Sequence, residues 1–524
     1  MKIHVYPYND FVIPFILGVI LLFAICIFKY VRWIRKFSYA QRRTLRKNWY
    51  SWKIIPAAWE MIREGLFHKR ILKKNLLLGL MHQSFALGWF LLIIVGDIES
   101  RNTFHSLQRE QSIETVHELE EQEGWYVYHT DKDKNFGYFN QRRYKVETEE
   151  GIARIHYKRP FYIAIFYRYF IHKAPESFRQ HKLYSDIMDG LLIYILLGLA
   201  MAMVKIFWSK ILGMRRTTKH TLVDRFSKFS LWMIFPLRLL SESVSACLYG
   251  NGGFLTQAIG NLFDPMIVRG LEASLWMFYS LMLAIFFITL PFSRYMHIFT
   301  ELLLIWFRKI GVTEELYKTG YTQFELNACS RCGVCITGCP IDRVLDNHEI
   351  QPVYLIRSLR NKEHGSRLNM IAENCLMCDR CTVDCPVGID LNSIRRMTRN
   401  KGAIDTKGNY TYLTKKQIPF NAIGRVAYFG GCMSHLTPGI TESMEKIFIA
   451  AEQKYWYMDK QDTICCGRPL YQQGFFNQAA ELRKKNTDMI KQSYATMLVT
   501  SCPICYQSFK KEYNLDIPVI HHTT

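Results

Sequence analysis

Thirteen of the 15 cysteines fall between residues 329 and 505. Cys329, Cys332, Cys335 and Cys339 stand in CSRCGVCITGCP, and Cys375, Cys378, Cys381 and Cys385 in CLMCDRCTVDCP. Each run offers three closely spaced thiolates and a fourth ahead of a proline. That spacing suits a 4Fe–4S cube: three thiolates grip three irons, and the fourth turns away to the other cluster. The expected ligand sets are Cys329, Cys332, Cys335 and Cys385 for one cluster, and Cys375, Cys378, Cys381 and Cys339 for the second. Two zinc sites are the alternative, but zinc sites usually set their cysteine pairs further apart and need only four ligands. An odd number of tightly spaced cysteines argues against a disulfide framework and for metal ligation in a reducing compartment. Two such clusters close together pass electrons and do not react with substrate.

Five cysteines follow: Cys432 in YFGGCMSHL, the adjacent Cys465 and Cys466 in DTICCGRPL, and Cys502 and Cys505 in TSCPICYQ. Adjacent cysteines do not readily pair, because a disulfide needs separated, facing Cβ atoms. The apolar stretches RVAYFGG and YATMLVTS end just before Cys432 and Cys502. Each reads as a parallel strand delivering thiols at its carboxyl end, where α/β sheets put their sites. NQAAELRKKNTDMIKQ reads as a helix between them. Buried structural cysteines are the plainer alternative.

These groups need a scaffold, and the first three hundred residues differ sharply from the rest. Five apolar segments, about 10–30, 76–98, 186–208, 229–248 and 270–292, are each near the ~20 residues that cross a bilayer. Cys26 and Cys247 lie within them. The charge order around the first segment is that of a retained span, not of a cleaved signal peptide. The net charge of +22 could mean a nucleic-acid partner or a membrane topology signal. Its placement decides: residues 31–75 carry 13 Lys and Arg against two acids, Glu60 and Glu64, whereas 249–268 has no Lys or Arg. The positive-inside rule then puts the N-terminus outside and the C-terminus inside, and no nucleic-acid partner is expected.

The fold class expected is multidomain. Residues 1–98 and 186–300 form a five-helix transmembrane bundle, and 99–185 an extracytoplasmic insert. In that insert the acidic stretch SIETVHELEEQEG reads as helical. Strands follow at GWYVYHT, NFGYFNQ and RYKVETEEGIARIHYK, the last with Glu-Glu-Gly at its turn. The aromatic run PFYIAIFYRYFIH is expected on the membrane surface. Residues 301–410 hold the two cysteine runs, joined by the helical IQPVYLIRSLRNKEHGSRLN, in an α-helical ferredoxin domain. Residues 422–524 form an α/β domain.

The pattern of Cys432, Cys465, Cys466, Cys502 and Cys505 resembles the CCG domain of the heterodisulfide reductase family. In particular it is similar to the catalytic subunit that joins a twin-cluster ferredoxin domain to CCG domains. That resemblance implies a further cluster on the five cysteines, a noncubane 4Fe–4S centre; other family members place a different iron–sulfur centre or zinc there. Catalytic relatives carry two CCG domains in tandem where this sequence shows one, so a partner subunit or further sequence is expected to supply the second. The membrane half resembles the gamma subunit of respiratory nitrate reductase and the cytochrome b subunit of membrane heterodisulfide reductase. Those hold b haems between histidines of the second and fifth helices. The resemblance implies His82 and His297 as axial ligands of one haem b on the cytoplasmic side; a packed His82 and an interfacial His297 are the alternative. Arg238 and Glu242, four apart on the fourth segment, read as a pair; service to a haem propionate or a quinone is the alternative.

The function expected is a membrane-bound oxidoreductase. It would pass electrons between a soluble cytoplasmic redox partner and (mena)quinone, through the clusters and haem b. The partner would be an electron-transfer flavoprotein or a second CCG protein. The alternative is an anchor and electron-transfer subunit serving a separate catalytic protein. A redox sensor signalling through the insert is a third possibility. No glycine-rich dinucleotide fingerprint is present, so no bound flavin or NAD is expected in this chain.

Overall fold

A computed structural model of the chain describes residues 2–5, 12–110, 119–122, 125–128, 143–147, 154–156, 182–207, 220–250, 252–315, 317–341, 350–405, 425–460 and 464–524. Two compact units are distinguished. The first comprises Met1–Glu314, Thr319–Gly338 and Val383–Ile389; the second comprises Glu315–Lys318, Cys339–Thr382 and Asp390–Thr524. The division runs through the expected 301–410 domain. Each unit takes three cysteines of one run and the last cysteine of the other.

In the first unit, five helices among the described residues are long and apolar enough to cross a membrane: Val12–Ile34, Leu76–Gly96, Lys182–Val204, Leu222–Leu248 and Glu272–Phe292. They overlap the five segments read from sequence, with ends that differ by a few residues. The fourth starts earlier because Thr221 and Asp224 form a reciprocal capping box that satisfies two orphan N–H groups. The fifth does not run on to His297. Its α-helix ends at Thr289, Leu290–Phe292 and Arg294–Met296 are short 3-10 turns, and His297 opens a new helix, His297–Lys309. Pro291 accounts for the break: it has no N–H to donate, and its ring crowds the preceding turn.

Phe15, Leu22, Ile195, Phe235, Tyr279 and Phe286 are buried together in the bundle core. The first and fifth helices meet almost backbone to backbone. A Cβ built on Gly18 would lie 2.7 Å from Ala284 Cα. Small residues permit such approaches where water supplies no hydrophobic drive between helices.

The N-terminal strand Lys2–Val5 joins the insert. It pairs antiparallel with Arg143–Glu147 and parallel with Arg154–His156. Leu119–Gln122 and Trp125–Tyr128 complete a five-stranded sheet. This corrects two expectations. The arms of RYKVETEEGIARIHYK are not sheet neighbours, because the N-terminal strand lies between them and bonds to both. Part of the acidic stretch expected to be helical is the strand Leu119–Gln122; its aromatic, β-branched partner Trp125–Tyr128 outweighs local helix preference. NFGYFNQ and PFYIAIFYRYFIH lie outside the described residues.

In the second unit a four-stranded, all-parallel sheet has the order Tyr455–Tyr457, Val426–Phe429, Met497–Thr500, Val519–His521. The expected strands are its two central ones. Helices Pro438–Ala450, Phe476–Gln492 and Pro503–Glu512 make the crossovers that parallel pairing requires. Between the cysteine runs, Pro352–Arg360 and Ser366–Glu373 are helical as expected.

The Gly18 contact gives a direct check. A Gly18→Val change overpacks the interface, a class of change that costs about 1–3 kcal/mol. It should lower the unfolding temperature followed by tryptophan fluorescence. Gly190→Ala, where a Cβ meets nothing within 4 Å, should leave it unchanged.

Candidate functional site

The two cysteine loops follow the same backbone path. Cys329 ends helix Gly320–Ala328, and Cys335 lies in the short helix Val334–Thr337. Between them the chain is left-handed at Arg331 (φ 57°) and Gly333 (φ 87°). In the second loop Met377 (φ 53°) and Asp379 (φ 65°) hold the matching places. Left-handed backbone is strained for residues other than glycine, so its recurrence at matched positions marks a path that the loops require. The Met377 N–H also points at Cys375 Sγ, 3.4 Å away.

Seven of the eight thiols gather in the crossed pattern. Cys339, Cys375, Cys378 and Cys381 line one cavity of the second unit together with Arg395. In the first unit Cys385 has Cys332 and Cys329 as electrostatic neighbours. The segment carrying Cys385 is held there by Arg308, which donates to Val387 O (2.7 Å) and Gly388 O, and by the Lys74–Asp384 ion pair. Burial pushes the thiols of Cys381 and Cys385 up to about 12. A bare thiolate is therefore disfavoured at either position, and a bound cationic centre is the partner that would reverse this. Among the described residues no three His, Cys, Asp or Glu side chains close around a single ion-sized point. The thiols are neighbours, not one mononuclear shell.

The first loop is fastened by residues to which sequence reasoning assigned no role. Asp224 Oδ2 lies 2.9 Å from Arg331 Nη1, with side-chain exposures of 1% and 6%. Its other oxygen accepts the Arg294 backbone N–H at 2.7 Å. Arg294 in turn donates from Nη2 to Ser330 O at 2.6 Å. One carboxylate thus ties the cysteine loop to the start of the fourth helix and to the turn just before His297. An arginine inside a CxxC, and an acid in a helix cap, were the available signals.

The same loop meets the second helix. Cys332 and Val334 pack with Ile71, Leu78 and Met81, so contact falls one residue from His82. The His82 ring is parallel to that of His68, with centroids 5.6 Å apart. His297 donates Nδ1–H to Arg294 O at 2.8 Å, which leaves the lone pair on Nε2. Ligating histidines are commonly oriented in this way. Deeper in the bundle Trp89 packs on Phe235 and Phe286. Arg238 and Glu242 pair at 2.6 Å, and Arg238 also donates to Tyr279 Oη at 3.2 Å.

In the second unit, five thiols meet at the carboxyl ends of three strands. Cys432 follows Val426–Phe429, Cys465 and Cys466 follow Tyr455–Tyr457, and Cys502 and Cys505 follow Met497–Thr500. Sulfur hydrogen bonds from Cys465 and Cys505 hold the Cys466 thiol well below its ordinary value, and one from Cys505 lowers Cys502. Cys505 is raised in return. Cys432 has Cys502 and Cys466 as electrostatic neighbours and is exposed. Gly431 makes the approach possible. At φ 84°, a Cβ there would lie 2.9 Å from Cys502 Cβ and 3.1 Å from Cys505 Sγ. Asp459, wholly buried, accepts the N–H groups of Gly430 and Gly431 at 2.8 and 2.7 Å. Asn486 donates to Cys465 O and Tyr513 to Cys466 O, both at 2.9 Å. Arg399 links the two thiol groups of this unit, donating to Cys375 O at 3.0 Å and Gln472 O at 2.9 Å.

The comparisons agree with this geometry. Residues 325–389 match the 4Fe-4S dicluster domain family, and residues 426–510 match the cysteine-rich domain family, CCG. An uncharacterized iron–sulfur protein of Methanocaldococcus jannaschii is 23% identical over 224 residues, covering 36% of this chain and 45% of the relative. The B subunit of the CoM/CoB fumarate reductase of Methanothermobacter marburgensis is 21% identical over 220 residues, covering 36% of this chain and 44% of the relative. The chain spans less than half the length of these curated relatives. No solved structure matches. Together the matches support an iron–sulfur protein with a dicluster domain followed by a CCG domain, and they suggest a role in electron transfer.

Breaking the Asp224–Arg331 pair should be costly, because it leaves a buried charge without its partner, a loss of about 3–5 kcal/mol. Asp224→Asn and Arg331→Met should each destabilise the protein by that order. The double variant should lose less than the two singles summed. Chemical unfolding of the four forms measures the coupling.

Proposed function

We propose that this protein is a heterodisulfide reductase-like, quinone-linked electron-transfer oxidoreductase of the inner membrane. The observation that carries the reading is the crossed gathering of thiols in two loops of matched backbone, beside a third group of five. Cys329, Cys332, Cys335 and Cys385 hold one 4Fe–4S cluster, and Cys339, Cys375, Cys378 and Cys381 the second. Cys432, Cys465, Cys466, Cys502 and Cys505 hold a third centre, a noncubane 4Fe–4S cluster. His82 and His297 would hold one haem b. The Nδ1 bond of His297 supports that placement. The ring packing of Trp89, Phe235 and Phe286 leaves the deeper interior to side chains.

The bound centres supply one-electron chemistry, and the chain sets their potentials through ligand, burial and hydrogen bonding. Amide and guanidinium donors do this here: Met377 N–H at Cys375, Gly467 N–H at Cys465 Sγ (3.4 Å), and Arg395 beside Cys339 and Cys381. Electrons exchange with quinone in the bilayer and with a soluble partner, an electron-transfer flavoprotein or a second CCG protein. The N-terminus lies outside and the iron–sulfur domains in the cytoplasm, following the excess of basic residues at 31–75. A second reading, an anchor and electron-transfer subunit for a separate catalytic protein, is favoured by the relative named as a subunit.

Iron, acid-labile sulfide and haem assays with EPR on the purified membrane protein test this. The wild type should show a haem b spectrum reducible by quinol. His82→Ala and His297→Ala should each abolish it and leave the iron–sulfur signals. Unchanged haem in both variants would refute the ligand assignment, and a haem-free wild type would refute the conduit.

A further inference from the structure

Helix Ile54–Gly65, between the first and second apolar helices, is amphipathic in the reverse sense for a water-facing surface. Ile55, Trp59 and Ile62 form one stripe at helical spacing, and they face outward with exposures of 62%, 63% and 44%. The opposite face, Ala57, Glu60 and Glu64, is buried. Its acids rest on cations. Lys309 Nζ lies 2.6 Å from Glu60 Oε2, and Arg70 also binds Glu60. Arg63 Nε lies 2.8 Å from Glu64 Oε1, and the Arg70 N–H donates to Glu64 Oε2 at 3.0 Å. Burial pushes the Glu60 carboxyl up, yet Lys309, Arg70 and Arg63 outweigh it and hold it below its ordinary value. The helix therefore sets its carboxylates against the basic end of helix His297–Lys309 and shows tryptophan and isoleucine outward. Trp52, 87% exposed, and Tyr50 extend the aromatic surface.

Three further facts identify what covers this face. Glu60 and Glu64 are the only acids among 13 Lys and Arg in residues 31–75, and both are engaged, so the outward charge is strongly positive. The segment is continuous at both ends with helices long and apolar enough to cross a membrane, Val12–Ile34 and Leu76–Gly96. Its exposed large apolar residues include Trp49, Tyr50, Trp52, Ile55, Trp59 and Ile62, types that settle where headgroups meet acyl chains.

We propose that Ile54–Gly65 and the preceding aromatic turn form a membrane-surface platform. The Ile55–Trp59–Ile62 stripe sits in the acyl boundary, and the surrounding lysines and arginines sit on anionic lipid headgroups. The platform lies on the side of the membrane where the cysteine runs emerge. Anionic headgroups draw the basic residues by charge, and apolar burial holds the stripe. The proposal rests on the reading of the five helices as membrane spans and is independent of haem and quinone.

The test uses the full chain in nanodiscs, with an environment-sensitive fluorescent amino acid replacing Trp59 or, as control, Lys47. Discs contain phosphatidylcholine with or without phosphatidylglycerol, and brominated acyl chains serve as quencher. Emission at 59 should be blue-shifted and quenched severalfold, more so with phosphatidylglycerol; emission at 47 should stay unquenched. In a second measurement, the exposed Ile55→Glu/Trp59→Glu double variant should lose the phosphatidylglycerol preference of the wild type for mixed over neutral discs. Water-like, unquenched emission at 59 would overturn the proposal. So would a shift that disappears on protein dilution, which marks self-association, or quenching indifferent to phosphatidylglycerol. Failure of the protein to enter discs at all would instead refute the membrane-spanning reading itself.

Discussion

The first unit turns on one buried carboxylate. Asp224 belongs to the cap of the fourth apolar helix, yet it also accepts from Arg331 and from the Arg294 backbone. A charge pair withdrawn from water repays its desolvation only when geometry and extra hydrogen bonds are good. Here the bonds are supplied from three directions, and each fixes something different. Thr221 fixes where the helix starts. Arg331 fixes a left-handed residue inside the cysteine loop. Arg294 fixes the turn that precedes His297. Remove the carboxylate and the loop, the helix start and the histidine lose their common reference. The same carboxylate thereby holds the cysteine loop and the turn before His297 at a fixed spacing.

The second unit solves the same problem with hydrogen bonds to backbone. Asp459 gathers the amides of Gly430 and Gly431, which brings Cys432 to the other thiols without a Cβ in the way. Asn486 and Tyr513 pin the carbonyls of the adjacent cysteine pair from the far side. Arg399 crosses from the helix after the second cysteine run to both the Cys375 and the Gln472 carbonyls. The thiol groups are thus held by buried charge in the first unit and by backbone clamps in the second.

Much of this was legible in the sequence because the signals are local. Cysteine spacing set the candidate ligands, and runs of apolar residues set the five helices. The Val426–Phe429 and Met497–Thr500 strands showed as apolar stretches ending at thiols. What could not be read depends on partners distant along the chain. The N-terminal strand enters a sheet with residues some 140 positions later, between two arms that local pattern joins directly. Asp224, Asp459 and Asn486 are ordinary polar residues until the fold buries them beside a cysteine loop. The break at Pro291 was visible as a residue, but its consequence, a separate helix beginning at His297, depends on the turn that Asp224 holds.

The crossed ligand sets are the central claim, and cysteine-to-serine variants of the membrane protein test them most directly. EPR of the reduced protein should lose the same 4Fe–4S signal in Cys385→Ser as in Cys329→Ser. It should lose the other signal in both Cys339→Ser and Cys375→Ser. If Cys385→Ser instead removed the signal lost in Cys375→Ser, the clusters would be built each from its own run, and the account would be wrong.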